Sequence, residues 1–282
     1  MKHLLLCVDG SHYTQPACAY AAWWATVNDA DIHTVYVSDL HQFEAPVFAD
    51  LSGSLGIQPY QGIIPQIQEM EKQKAKIISN AVTDFLDAAD FPEDRRKFEH
   101  RTGFIVDTVE EMQSLKDLIV AGKRGEHADF ASGHLGSKME RIVRASHVPV
   151  LVTSREFQAV SKVLFAYDGS KSGEKALLYI RDNAMFRDAE LHVVSVAEKG
   201  HSERYAGYLR DAERELKNAG LSPICQALGG EPEDMIASYV EQQSIDLMMM
   251  GAYGHSRIRH LLIGSTTTEM IRRCRIPVLC FR

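Results

Sequence analysis

The chain is written twice, and this limits what it can fold into more than any other feature. HLLLCVDGS (3–11) returns as KVLFAYDGS (162–170), DADIHTVYV (29–37) as DAELHVVSV (188–196), and DLIVAGKRG (117–125) as DLMMMGAYG (246–254). LGS (135–137) is matched by IGS (263–265), and HVPVLV (147–152) by RIPVLC (275–280). Five matches kept in one order mean a duplicated domain. The halves are read as 1–155 and 160–282, with a short join near 154–161. The offset between partners is constant for the first two pairs and then shrinks by about 30 residues, so the first half carries extra chain after Val37. That stretch, about 39–64, mixes prolines and glycines without a clear period and reads as a long loop. Its Phe43, Val47, Phe48, Leu51, Leu55 and Ile57 need a surface, either a sheet edge or a second chain.

Within the second half, short apolar runs alternate with helical periodicity. Strands are expected at 162–167, 191–196, 222–227, 245–250 and 277–281, and helices at 172–186, 202–218, 231–242 and 264–274. Strands apolar throughout, alternating with helices, predict a parallel sheet covered on both faces, an α/β doubly wound domain. The first half repeats the pattern.

Composition removes several function classes. A net charge of -7 gives no basic footprint for nucleic acid. No segment approaches the roughly 18 apolar residues of a membrane helix, and no secretory leader is read at the start. The cysteines (Cys7, Cys18, Cys225, Cys274, Cys280) are odd in number and lack a CxxC pair, as expected of reduced core residues in a cytosolic protein. No HExxH pair supports a metal site, and His127 and His134 read as solvated loop residues.

In a doubly wound sheet, ligands bind beyond the carboxyl ends of the strands where strand order reverses. Two such ends carry chemistry here, Asp168-Gly169-Ser170 after the first strand and Gly251-Ala252-Tyr253-Gly254 after the fourth. Glycines let backbone amides come close to a ligand, and the helix opening near Gly264 offers unpaired N–H groups and a partial positive charge. With the hydroxyls of Ser265, Thr266 and Thr267 this makes an anion site suited to phosphates; His255, Arg257 and Arg259 can add charge. Asp168 repels phosphate but can accept a hydrogen bond from a ribose hydroxyl or a base, so the pair of loops points to a nucleotide. Taken singly, such a loop is more often a turn with a helix cap than a ligand site; the joint pattern at two strand ends is what points to a ligand. Neither GxxxxGK[ST] nor GxGxxG occurs, and no nucleophile elbow supports a hydrolase triad.

Gly251-x2-Gly254-x9-Gly264-Ser265 has the spacing of the ATP-binding signature of the universal stress proteins, and VLFAYDGSKSGEKAL (163–177) resembles that family's opening strand and helix. Because both halves carry the resemblance, the chain resembles a tandem, two-domain universal stress protein. The resemblance implies five-stranded sheets ordered 3-2-1-4-5, a switch point between strands one and four, and domains paired through their last strands. It implies that Asp168 and Val196 hold an adenosine, and that Gly251, Gly254, Gly264, Ser265 and Thr266, with Met250 and His255 alongside, hold ribose and phosphates of ATP, with or without magnesium. In the first half the corresponding residues are Asp9, Val37, Gly122, Gly125, Gly136 and Ser137. That loop departs from the pattern: ten residues, not nine, separate Gly125 from Gly136, and Glu126 and Asp129 oppose Lys123 and Arg124.

The resulting expectation is a cytoplasmic ATP-binding stress-response module, in which a nucleotide biases conformation or the choice of protein partner. The domains would form a pseudo-dimer within the chain, and a homodimer of chains is left open. No catalytic residue is evident. The alternatives are a slow ATPase or autophosphorylating enzyme using Ser265 or a hydroxyl of 266–268, and a scaffold that works without nucleotide.

Overall fold

A computed structural model describes residues 2–39, 63–123, 137–197, 202–252 and 265–282. The segment on which the long-loop expectation chiefly falls, 40–62, lies outside the described residues.

The first half runs β1 (Lys2–Val8), α1 (Thr14–Asn28), β2 (Ala30–Ser38), α2 (Ile63–Ala88), β3 (Arg96–Thr102), α3 (Ile105–Met112), β4 (Leu118–Gly122), α4 (Ser137–Ala145) and β5 (Val150–Thr153). The second runs β6 (Lys162–Ala166), α5 (Lys171–Asp182), β7 (Glu190–Ala197), α6 (Ser202–Asn218), β8 (Ile224–Gly229), α7 (Pro232–Gln243), β9 (Leu247–Gly251), α8 (Ser265–Arg273) and β10 (Val278–Phe281). Helix α2 opens at Ile63, inside the span expected as loop. The expected strand at 222–227 forms later, at 224–229, because Pro223 has no N–H to give to a ladder. The expected helix 172–186 stops at Asp182; Asn183 turns the chain, its side chain accepting from the Met185 N–H at 3.2 Å, and one 3-10 turn follows.

The strands among the described residues join one ten-stranded sheet in the order β3-β2-β1-β4-β5-β10-β9-β6-β7-β8. Each half therefore has the order 3-2-1-4-5 with parallel neighbours. The halves meet through their last strands, antiparallel, with Leu279 opposite Leu151. These are equivalent residues of the repeat, so a local two-fold axis passes through this pair.

Helices cover both faces, as near-continuous apolar strands require. On one face α1, α2, α5 and α6 bury Trp24, Tyr20, Ile78, Leu86, Ile180 and Leu216 in a core running through both halves. On the other, α3, α4, α7 and α8 pack over Val109, Ile142, Tyr239 and Met270. The five cysteines are free, and all but Cys225 are buried. Burial pushes the thiols of Cys7, Cys18 and Cys280 up to about 12, so they behave as core residues rather than nucleophiles. At one sheet edge β3 carries Arg96, Lys97, Glu99 and Arg101, charges that oppose pairing with another chain.

Candidate functional site

In the second half β6 lies between β7 and β9, with Ala166 opposite Met250. This is the reversal of strand order, and it brings the two sequence-identified strand ends side by side. Beyond β6, the Tyr167 N–H bonds the Val194 carbonyl at 2.8 Å and Ser195 Oγ donates to the Tyr167 carbonyl at 2.7 Å, fixing the approach to Asp168. Asp168 Oδ1 accepts from the Ser170 N–H at 2.9 Å, and Ser170 Oγ accepts from the Gly173 N–H at 3.1 Å as the cap of α5. Between them Gly169 takes a φ of 70°, where other residues are strained. Asp168 is half-buried at the mouth of this turn. Val196 and Met250 are buried in the core on the face covered by α3, α4, α7 and α8.

Gly251, at the tip of β9, has a structural reason of its own. A Cβ there would lie 2.5 Å from Ser172 Oγ and 3.1 Å from the Gly173 nitrogen. The missing side chain lets β9 approach the first turn of α5. The sequence reading gave this glycine to a turn or to ligand approach; the contact with α5 is a further demand on the same position.

Helix α8 begins at Ser265, one residue after its expected start. Its threonines face three different ways. Thr266 Oγ1 donates to Glu233 Oε1 at 2.7 Å, on the first turn of α7. Thr267, 3% exposed, directs its hydroxyl back to the carbonyls of Gly251 at 3.3 Å and Ala252 at 3.2 Å. Thr268 Oγ1 reaches Glu140 Oε1 of the first half at 3.4 Å. In the last turn, Arg272 and Arg273 bond Glu269 and hold its carboxyl at about 2. Gly254, His255 and Gly264, and the side chain of Ser265, lie outside what the structure describes. The structure thus sets Asp168, Met250 and Gly251 at adjoining strand ends; it buries Val196 in the core and turns Thr266 toward Glu233.

In the first half β1 lies beside β4, with Cys7 opposite Ala121. Asp9 Oδ1 accepts from the Ser11 N–H at 3.0 Å, and the Gly10 N–H donates to Thr14 Oγ1 at 3.1 Å. Val37 packs against the core and Gly122 ends β4. Gly125 and Gly136, and the Ser137 side chain, lie outside the described residues. Two differences from the second half are visible. Lys123, in the glycine loop, donates its Nζ to the Cys274 carbonyl of the other half at 2.8 Å. Buried Met139 stands where the repeat has Thr267, so that loop lacks the corresponding hydroxyl tie.

Sequence reading missed several groups near these crevices. Tyr208 of α6 covers Gly169, whose Cβ would lie 2.5 Å from the ring, and Arg204 Nε donates to its hydroxyl at 2.6 Å. In the first half Ile78 takes the same place over Gly10. The two residues hold equivalent places over the two turns, but nothing in their own pattern sets them apart from core. Under α2, Tyr36 and Ser38 both donate to Glu71 Oε2, at 2.7 and 2.8 Å, and Ser38 Oγ lies 2.6 Å from His100 Nε2. Burial, then the Glu71 carboxylate, pushes the Tyr36 phenol up to about 12, while burial moves the His100 imidazole down. Glu233 was also missed; only its place behind Pro232 in a first helical turn marks it. Among the described residues no group of three or more His, Cys, Asp or Glu could hold a metal ion, and no helix is long and apolar enough to cross a membrane.

The chain matches the universal stress protein family model twice, over residues 1–154 and 159–282. It is 41% identical over 289 aligned residues to universal stress protein Slr1230 of Synechocystis sp., covering 100% of both chains. It is 27% identical to universal stress protein Rv2005c of Mycobacterium tuberculosis, covering 98% of this chain and 95% of that protein. Among solved structures, a universal stress protein from Archaeoglobus fulgidus superposes with a TM-score of 0.75 at 24% identity, covering 99% of this chain and 98% of the other.

Proposed function

The chain belongs to the universal stress protein family, and from that premise we propose that it binds ATP or a related adenine nucleotide in the crevice of its second half, as a cytoplasmic stress-response module. The observation that carries this reading is the pairing of β6 with β9, which sets Asp168 beside Gly251 at the reversal of strand order. Asp168 is suited to accept from a ribose hydroxyl, with Val196 and Met250 beneath the adenosine. The first turn of α8 offers N–H groups and a partial positive charge to the phosphates. The Glu233 carboxylate beside Thr266 adds negative charge there, so the magnesium-bound form of ATP suits the residues better than the bare tetra-anion. Nucleotide occupancy would bias conformation or the choice of protein partner.

Thermal unfolding with and without nucleotide tests this. Ligand at about 100 times its dissociation constant adds about 2.7 kcal/mol to the folded state, a rise of several degrees for a domain of this size. ATP should give that rise, and tripolyphosphate, which lacks the adenosine, should give far less. No rise with any adenine nucleotide at millimolar concentration contradicts the reading.

One contact favours a second reading, slow autophosphorylation. Thr266 Oγ1 already donates to the Glu233 carboxylate at 2.7 Å, the geometry of a nucleophile with its base. The Thr266 oxygen would bond the γ-phosphorus, the bond to ADP would break, and Glu233 would take the hydroxyl proton. Incubation with γ-labelled ATP should then label the chain, and the label should be lost in both Thr266→Val and Glu233→Gln. Label that persists in both variants rules out this pair.

A further inference from the structure

Helices α4 and α8 are equivalents in the repeat, and each receives a cation from the opposite half at its C-terminal end. Lys123 Nζ donates to the Cys274 carbonyl, just past α8, at 2.8 Å. The Arg282 guanidinium donates to the Arg144 carbonyl in the last turn of α4. Thr268 Oγ1 and Glu140 Oε1 add a third contact between the same two helices. The last carbonyls of a helix have no intrahelical partner, and a cation there both bonds them and complements the helix dipole.

The two caps are not interchangeable. Lys123 belongs to the first half's own glycine loop, directly after Gly122. Its equivalent in the second half is Ala252, which has no side-chain donor. The second half therefore gains a lysine at the base of α8, and the lysine comes from the loop that would otherwise offer it to an anion in the first half.

Resting on the nucleotide reading above, we propose that Lys123 is a positioning residue for the second half's site, holding α8 from its far end while competing with any anion in the first half. Helix α8 has nine residues, so its ends lie only about 13 Å apart at 1.5 Å per residue. A helix this short has little stability of its own, and fixing one end limits the motion of the other. An anion bound in the first half would draw Lys123 toward itself and release Cys274. An anion in the first half would then weaken nucleotide binding in the second, and nucleotide in the second would weaken the anion by the same factor.

The test compares the full chain with Lys123→Met and Lys123→Arg. ATP affinity is read by calorimetry, and amide hydrogen exchange over 265–274 is read without nucleotide. Lys123→Met should weaken ATP binding about two- to five-fold, the usual worth of a charge at a helix end. It should also speed exchange in α8 but not in β6, and Lys123→Arg should restore both. Equal ATP affinity in Lys123→Met and the unmodified chain overturns the proposal even if the unfolding temperature drops, because that is what a purely structural lysine would give. If the unmodified chain takes up no ATP, the nucleotide reading itself fails, and this role for Lys123 fails with it. Binding by the unmodified chain with no loss in Lys123→Met removes only the role of Lys123.

Discussion

The indole Nε1–H of Trp24 donates to the Tyr179 hydroxyl at 3.0 Å, tying the first helix of one half to the equivalent helix of the other. Trp24 sits in the core that runs beneath α1 and α5, and the half-buried Tyr179 packs against that core and edge-on against Phe281 of the last strand. The halves therefore share a core as well as a sheet. Unfolding should be a single transition, with fluorescence and circular dichroism giving one midpoint. Trp24→Phe should lower stability by about 1–2 kcal/mol through the lost hydrogen bond and a small cavity. Two resolved transitions in a denaturant titration would contradict a shared core.

Gly251→Ala tests the close approach of β9 to α5. The added methyl group meets Ser172 Oγ at 2.5 Å, which must turn away, and lies tight against the Gly173 nitrogen at 3.1 Å, where backbone has little room to give. Overpacking of this kind costs roughly 1–3 kcal/mol. Because the strain falls on the turn that carries Asp168, nucleotide affinity should fall as well. An alanine variant as stable as the parent by chemical denaturation would show that the contact is loose.

Thr267→Val keeps the shape of a buried side chain and removes its hydroxyl. Two carbonyls, of Gly251 and Ala252, lose the donor that ties the start of α8 to the β9 loop. The expected cost is about 1–2 kcal/mol. Slackening should show as faster amide exchange at 265–270; unchanged exchange there would assign the hydroxyl no part in holding the helix.

Much of this was legible in the sequence because the chain carries its own comparison. The repeats fixed which segments are equivalent, and apolar runs alternating with helical periods gave strand and helix positions to within a few residues. Asp168 and Gly251 stood out because each follows a strand and precedes a turn. Glu233 and Tyr208 did not, and Lys123 stood out only as a charge of its own loop, not for its bond across to Cys274. Their roles depend on which surfaces pack together, and a lone glutamate, tyrosine or lysine on a helix or loop has no pattern that reports its distant partner. The split use of the threonines was hidden for the same reason, since Thr266, Thr267 and Thr268 differ only in the direction each faces. The two-fold relation between Leu151 and Leu279 came from the family resemblance; spacing alone does not give it.

Glu99 supplies a pH dependence with a definite sign. Hydrogen bonds from Arg101 Nε at 2.5 Å, Lys97 Nζ at 3.3 Å and His33 Nε2 at 2.9 Å bring its carboxyl down from 4.5 to about 2. A carboxyl depressed by folding contributes stability that is complete above its unfolded value and lost as pH falls through the folded one. The parent should therefore be more stable than Glu99→Gln by a constant margin above pH 5, and that margin should shrink between about 4.5 and 2. A margin that does not change down to pH 3 would place the depression elsewhere.

The central claim is that one nucleotide binds, in the second half. Calorimetric titration with magnesium and ATP, run on the unmodified chain and on Asp168→Ala and Asp9→Ala, tests it most directly. The account predicts one site per chain, at least ten-fold weaker in Asp168→Ala and unchanged in Asp9→Ala, with both variants folded by circular dichroism. Two sites, no binding, or a loss that follows Asp9 instead of Asp168 would contradict it.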